Sequence, residues 1–205
     1  MTFSVHRGAP REYRHLETGR ELFSVSQIRK RAWDGFANVP ADVLEAARVR
    51  GKILHARFAR AMFAQVGICP YPEIIPEYAG HSVSMDDWFA RVKPIPELVE
   101  QPSWNPDLGF AGQADAKFRY GKHLVIGDYK SGEETPTDGM QLVCGYATME
   151  DYKDATKYLD IYTDKMGGQA REVWRTPNPH DRACFLNALQ SLKCDEQILK
   201  WRANK

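Results

Sequence analysis

Apolar positions recur along the chain with two different periods, and the switch between them sets out the elements. From Ala41 to about Gln65, the residues Leu44, Ala47, Gly51, Leu54, Phe58 and Met62 follow at steps of three and four, one face of a long helix. Ahead of it, Ser24 or Ser26 stands as an N-cap before Gln27-Ile28-Arg29-Lys30-Arg31, which predicts a short helix. Pro70, Pro72 and Pro76 mark an irregular connection, and Ser84-Met85-Asp86-Asp87-Trp88 reads as the capped start of another short helix that Pro94 and Pro96 end. The period then changes to that of strands. Glu97 to Trp104, Gly109 to Arg119 and His123 to Tyr129 read as three successive strands, broken by Asn105-Pro106-Asp107 and Tyr120-Gly121-Lys122. Thr137 to about Tyr152 returns to helical spacing through Met140, Val143, Cys144 and Ala147. Tyr158 to Thr163 and Ala170 to Trp174 form a strand pair around Gly167-Gly168, and a terminal helix runs from about Pro179 to Trp201. This order predicts an α/β layered core with one mixed sheet, the first three strands being an antiparallel meander. The polar segment ahead of it, residues 1–22, reads as an N-terminal arm, and residues 23–66 as a basic helical part of the same single domain.

Composition narrows the class. At 205 residues, 43% hydrophobic and 27% charged, the chain has ordinary globular make-up, which excludes a wholly disordered, collagen-like or disulfide-scaffold protein. No stretch approaches the ~18 apolar residues of a membrane span, and the N-terminus has no signal-peptide core, so the expectation is a cytoplasmic protein without a membrane partner. Cys69, Cys144, Cys184 and Cys194 contain no CxxC pair, so neither a zinc ribbon nor an iron–sulfur cluster has a frame. The two latter cysteines, about 15 Å apart on one helix, cannot form a disulfide.

Chemistry concentrates in Gly109-Phe-Ala-Gly-Gln-Ala-Asp115 and in His123-Leu-Val-Ile-Gly-Asp128-Tyr-Lys130. Asp115 interrupts a run of small and apolar residues, and Asp128 and Lys130 end a strand that should be buried, where a carboxylate is costly unless paired. Alternation puts Asp128 and Lys130 on one face, and a neighbouring strand can set Asp115 beside them. Two carboxylates and an ammonium on one surface can hold a divalent cation and a water; the competing reading is a sheet-edge salt bridge. Asp-Tyr-Lys occurs again at 151–153, but among Glu150, Asp154 and Lys157 with no apolar strand ahead, which reads as solvated surface. His55, one turn after Gly51 on the long helix, reads by itself as a half-buried packing or hydrogen-bonding residue before it reads as a ligand. Gln141 and Tyr146 could contact a phosphodiester backbone or stack on a base, or serve as cap and core residues.

Taken together, Gly51/His55, Gly112/Asp115, Asp128/Lys130 and Gln141/Tyr146, in that order, resemble the motif series of the RecB-type branch of the PD-(D/E)XK nuclease superfamily. The resemblance covers about residues 24–175, and Ser24-Val25-Ser26-Gln27-Ile28 is similar to the opening of small phage and mitochondrial-type single-strand exonucleases of that branch. It implies a restriction-endonuclease-like α-β-β-β-α-β core with one mixed central sheet flanked by helices, and a stand-alone, divalent-metal-dependent DNA exonuclease acting on single strands or ends, in replication, recombination or repair. By motif position, His55, Asp115, Asp128 and the carbonyl of Tyr129 would ligate Mg2+ or Mn2+, Lys130 would orient or help deprotonate a water, and Gln141 and Tyr146 would position the scissile backbone. Glu100, on the preceding strand, would be an additional acidic ligand or would support the ligands from behind. The iron–sulfur subgroup is disfavoured, since its C-terminal cysteine group has no counterpart here. The expected setting is the cytoplasm of a bacterium or a phage-infected cell. Rival readings are an endonuclease or junction resolvase on the same core, and a non-catalytic DNA-binding or phage assembly module. Gly167-Gly168-Gln169 also matches the tripeptide of peptide-chain release factors, but lies where a hairpin turn wants glycine.

Net charge is +1, which at first argues against a nucleic-acid partner. The total hides an asymmetry: residues 1–66 hold 12 basic and 6 acidic side chains, and the remainder 16 and 21. The basic helices, with Arg29, Lys30, Arg31, Arg48, Arg50, Lys52, Arg57 and Arg60, read either as a solvated surface or as one wall of a DNA groove, and the expectation is the groove wall, with Arg57 and Arg60 contacting substrate.

Overall fold

The computed structural model describes residues 3–6 and 12–203. Three short strands come first, β1 (Phe3–His6), β2 (Glu12–His15) and β3 (Glu21–Ser24), followed by helix α1 (Val25–Ala32). Ser24 is the cap: its Oγ accepts from the Gln27 N–H at 3.1 Å, and Gln27 Oε1 accepts from the Ser24 N–H at 2.7 Å. This reciprocal pair satisfies two donors that the first turn leaves open. Ser24→Ala should lower stability by about 1 kcal/mol, read as a shifted urea midpoint with unchanged slope.

Helix α2 (Ala41–Gln65) buries Leu54, Phe58, Ala61 and Met62, whereas Leu44, Ala47 and Gly51, the first half of the apolar stripe, are only half-buried. Helix α3 (Ala79–Val92) starts five residues before the expected cap at Ser84. Ser84 is fully buried and its Oγ accepts from the Asp164 N–H at 3.0 Å, so this serine joins two elements instead of capping one. A left-handed residue, Lys93, with φ 49°, and then Pro94 end the helix.

The three expected strands are five: β4 (Ile95–Val99), β5 (Pro102–Asn105), β6 (Phe110–Gln113), β7 (Ala116–Tyr120) and β8 (His123–Lys130). After these come a π-helical turn (Met140–Gly145), a 3-10 turn (Tyr146–Thr148), β9 (Lys157–Tyr162), β10 (Arg171–Arg175) and α4 (Pro179–Ala203). One sheet has the order β10-β9-β8-β7-β4, mixed because β8 and β9 run parallel. With α2 ahead of it and the π-helical segment before β9, it carries the expected α-β-β-β-α-β order. The second sheet, β1-β2-β3-β6-β5, is an addition to the single sheet expected. Part of the segment expected as an arm, residues 1–22, lies in this sheet: Phe3, Tyr13 and Leu22 bury one face against Ala111, while residues 1–2 and 7–11 lie outside the described residues. Four-residue strands are too short to announce themselves by period.

The chain passes directly from a strand of one sheet to a strand of the other twice. The run 97–104 breaks at Glu100, whose φ is 50°, and the run 109–119 breaks at Ala114-Asp115. The crossings lie side by side, with the Glu100 N–H donating to the Asp115 carbonyl at 2.9 Å. Two cores flank the main sheet. Leu54, Phe58, Trp88, Phe89, Phe118 and Tyr129 pack under α2 and α3. Val25, Ile28, Phe110, Ile126, Leu142 and Phe185 pack under α1, the π-turn and α4.

The second Asp-Tyr-Lys is only partly the solvated surface expected, because Tyr152 is fully buried and donates to the Gln101 carbonyl. At 167–169 the chain turns between β9 and β10, with Gly167 at φ 85°, as the hairpin reading requires.

Candidate active site

The crossing of the sheets, one face of α2 and the end of β8 enclose an open cavity of about 730 Å³. His55, Glu100, Asp115, Asp128, Tyr129, Lys130, Gln141 and Tyr146 all line it. Each arrives by a local rule. On α2, Arg48, Gly51, Lys52 and His55 fall at steps of three and four, so all four share the cavity face. On β8, Asp128 and Lys130 point the same way, while the Tyr129 ring turns to the other core and stacks on Phe58 at 5.3 Å. Gln141 and Tyr146, five residues apart, would lie about 140° from each other around an α-helix. The π-turn closes that angle, and Gln141 Nε2 donates to Tyr146 Oη at 2.7 Å. Gly112 allows this packing: a Cβ there would lie 2.8 Å from Val25 and 3.1 Å from the Tyr146 ring.

Asp115 organises the centre. One carboxylate oxygen accepts from the Tyr129 N–H at 2.6 Å, and the other lies 2.8 Å from His55 Nδ1. Donor atoms of His55, Glu100 and Asp115 all lie within 4.8 Å of one another. This cluster is not the whole set that the motifs suggest. Asp128 is in contact with Lys130 Nζ and stands outside this cluster, and Glu100 takes a place in it. Gln113 Nε2 in turn hydrogen-bonds to Glu100.

Charge is finely divided here. Burial opposes the imidazolium of His55, but Asp115 and its hydrogen bond outweigh burial and raise the pKa to about 9. Burial opposes the Asp115 carboxylate too, yet His55, the Tyr129 N–H and Lys130 hold it below the ordinary aspartate value. Asp128 is pushed the other way, up to about 7, by burial with Asp115 and Asp160 adding to it against the pull of Lys130. For Lys130, burial is outweighed by Asp128, Asp138 and Asp160, which favour its charged form.

Several of these partners lie outside the sequence motifs. Asp138 accepts from the Thr135 N–H at 2.8 Å and the Tyr162 hydroxyl at 2.7 Å, and lies 3.6 Å from Lys130 and 3.7 Å from Arg29. Asp160, beside Asp128 in the register of β8 and β9, is fully buried against Arg175 Nε at 2.6 Å. A carboxylate in the apolar strand 158–163 is the available signal, the same one that marks Asp115. Among the described residues, Gln141 Oε1 and Asp160 Oδ1 are buried without a hydrogen-bond partner, a condition that few native polar groups tolerate away from a ligand or water.

Arg57 and Arg60 are not at this cavity. Two residues on a helix turn about 200°, so Arg57 faces away from His55. It is 3% exposed and donates to the Glu73 carbonyl at 2.9 Å, the Pro72 carbonyl at 3.1 Å and Asp86 at 3.0 Å. Arg60 lines a separate cavity with Arg57, Pro70 and Ile75. The basic wall of the cavity is built instead from Arg29, Arg48 and Lys52.

No protein-family model matches this sequence, and no curated protein does. Among solved structures, the fold is similar to an alkaline exonuclease from Laribacter hongkongensis, with 13% identity, a TM-score of 0.47, and coverage of 89% of this chain and 93% of that one. The complex of that exonuclease with dAMP gives 11% identity, the same score and the same coverage. Likeness at that level is too distant to identify a family.

Proposed function

We propose that this protein is a divalent-cation-dependent deoxyribonuclease of the PD-(D/E)XK type, RecB-like branch, that removes nucleotides from single strands or DNA ends. The observation that carries the reading is convergence: motif residues spread from position 51 to 146 line one cavity, beside a cluster of His55, Glu100 and Asp115. A chance coincidence of short motifs would leave them scattered over the surface.

The donor set fits a cation. One imidazole and two carboxylates suit Mg2+ and, because of the nitrogen, suit Mn2+ better than an all-oxygen cage would. A cation bound there would polarise the phosphodiester and lower the pKa of a water. The chain's own residues do the rest. Lys130, kept cationic by Asp128 and Asp138, sits where it can hold a water and offset the charge of the phosphate. Gln141 offers an unpartnered amide oxygen, and Tyr146 is fixed beside it to seat the backbone. Arg29, Arg48 and Lys52 supply the cationic rim that steers a polyanion into the cavity. Gly51, with open space where a Cβ would stand, leaves the helix face low at the same place.

The test is hydrolysis of end-labelled single-stranded, duplex and closed circular DNA with Mn2+, Mg2+ or chelator. Cleavage of linear DNA that needs a cation and spares the circle is expected. Nicking of the circle would make the protein an endonuclease or resolvase, and DNA retention without hydrolysis in either cation would make it a non-catalytic binding module.

A further inference from the structure

Next to the cavity lies a second one, of about 580 Å³, between α2, α3 and the turn after β9. Both are bordered by Ser131, Gly132 and Glu133, so a strand crossing that loop spans the two. The second cavity is lined by Arg50, His81, Lys165 and Gln169. Arg50 Nε is buried and has no hydrogen-bond partner, and no carboxylate is paired with Arg50 or Lys165 among the described residues. His81 Nδ1 is occupied by Thr163 Oγ1 at 2.9 Å, which leaves Nε2. Two carboxylates also border the cavity: Glu133 on the shared loop, and Asp164, whose oxygens accept from the Met166 N–H at 2.8 Å and the Gly168 N–H at 3.1 Å. Arg171, which also lines the cavity, is paired with Glu134 at 2.9 Å. Arg50 and Lys165 thus line the cavity without an ion-pair partner among the described residues, and burial followed by Arg50 presses the His81 pKa below its ordinary value.

The turn that presents Lys165 is held in place. A Cβ at Gly80 would meet the Lys165 carbonyl oxygen at 1.8 Å, so the turn lies directly on the first residues of α3.

We propose that Arg50, Lys165 and His81 form a phosphodiester-binding subsite that grips the nucleic-acid strand beyond the scissile bond. A guanidinium fork and an ammonium converging on one pocket match the oxygens of a phosphate. The assignment rests on the nuclease reading above and adds to it a preference for substrates long enough to reach across the 131–133 loop.

The experiment compares Arg50→Gln and Lys165→Gln with the wild type on a long single-stranded oligonucleotide and on a dinucleotide. Each variant should raise KM for the long substrate roughly tenfold, about the strength of one hydrogen bond to a charged group, and lower the preference for long over short by the same factor. On single strands, each should also flatten the slope of log affinity against log salt by about 0.7. Arg50→Lys should recover part of the loss, and thermal melts identify any variant that is merely misfolded. Unchanged KM and slope in both glutamine variants would overturn the assignment. So would tight binding of inorganic phosphate that the substitutions abolish while the oligonucleotide KM stays as in the wild type, since that marks a site for a free anion. If the wild type cleaves nothing, the nuclease reading falls by itself, and fluorescence anisotropy with the same oligonucleotide still measures the salt slope on which the subsite stands or fails.

Discussion

Asp115→Asn is expected to lower kcat for cation-dependent cleavage by roughly 10²–10³-fold, the scale on which removal of one preorganised electrostatic group acts. The substitution is nearly isosteric, and an amide oxygen can still accept from the Tyr129 N–H that now lies at 2.6 Å. What disappears is the negative charge that pairs with His55 at 2.8 Å and stands in the cluster with Glu100. Calorimetric titration with Mn2+ should show the binding isotherm lost, while the circular dichroism spectrum is kept. Cleavage by the Asp115→Asn variant at the wild-type rate would remove Asp115 from the centre and, with it, the proposed ligand set.

Arg57→Ala is expected to fail in the opposite way, costing stability and leaving DNA affinity alone. Its guanidinium is enclosed by Asp86 and by the carbonyls of Pro72 and Glu73, so truncation strands three acceptors and opens space beside Met85. Breaking a fully buried ion pair costs about 3–5 kcal/mol, but the Asp86 side chain is 31% exposed and can be rehydrated, which brings the expectation to about 3 kcal/mol. Urea unfolding measures it. A stable variant with weakened DNA binding would return Arg57 to the substrate surface.

The contrast between Arg57 and Arg48 shows what the sequence could resolve. Charge segregation identifies the N-terminal third as basic, yet counting charges does not say which way a helix is turned. The phase is nevertheless available: Arg48, Lys52 and His55 keep helical step with one another, whereas Arg57 does not. The site motifs are legible because buried carboxylates at strand ends are conspicuous. Asp160 carries the same mark but belongs to no motif, so nothing in the sequence ties it to the others. The sheet crossings are not legible. A break that leaves residues extended on either side does not interrupt a two-residue period, so 97–104 and 109–119 look continuous. Nor does helical spacing distinguish a π-turn from an α-helix over so few residues; the pairing of Gln141 with Tyr146 is the only local hint.

The double crossing places the two acidic members of the cluster in the corner where one sheet ends and the other begins. Glu100 follows β4 and precedes β5, and Asp115 follows β6 and precedes β7, so each carboxylate is tethered to both sheets at once. Neither sheet alone can set the spacing between them. β3 joins β6 in parallel, which ties the N-terminal strands to the same corner. On the proposed function, chemical competence would therefore be a property of the docked pair of sheets: a nascent or partly unfolded chain, even with every motif residue present, would hold Glu100 and Asp115 apart and would leave nucleic acid intact until the last strands were in place.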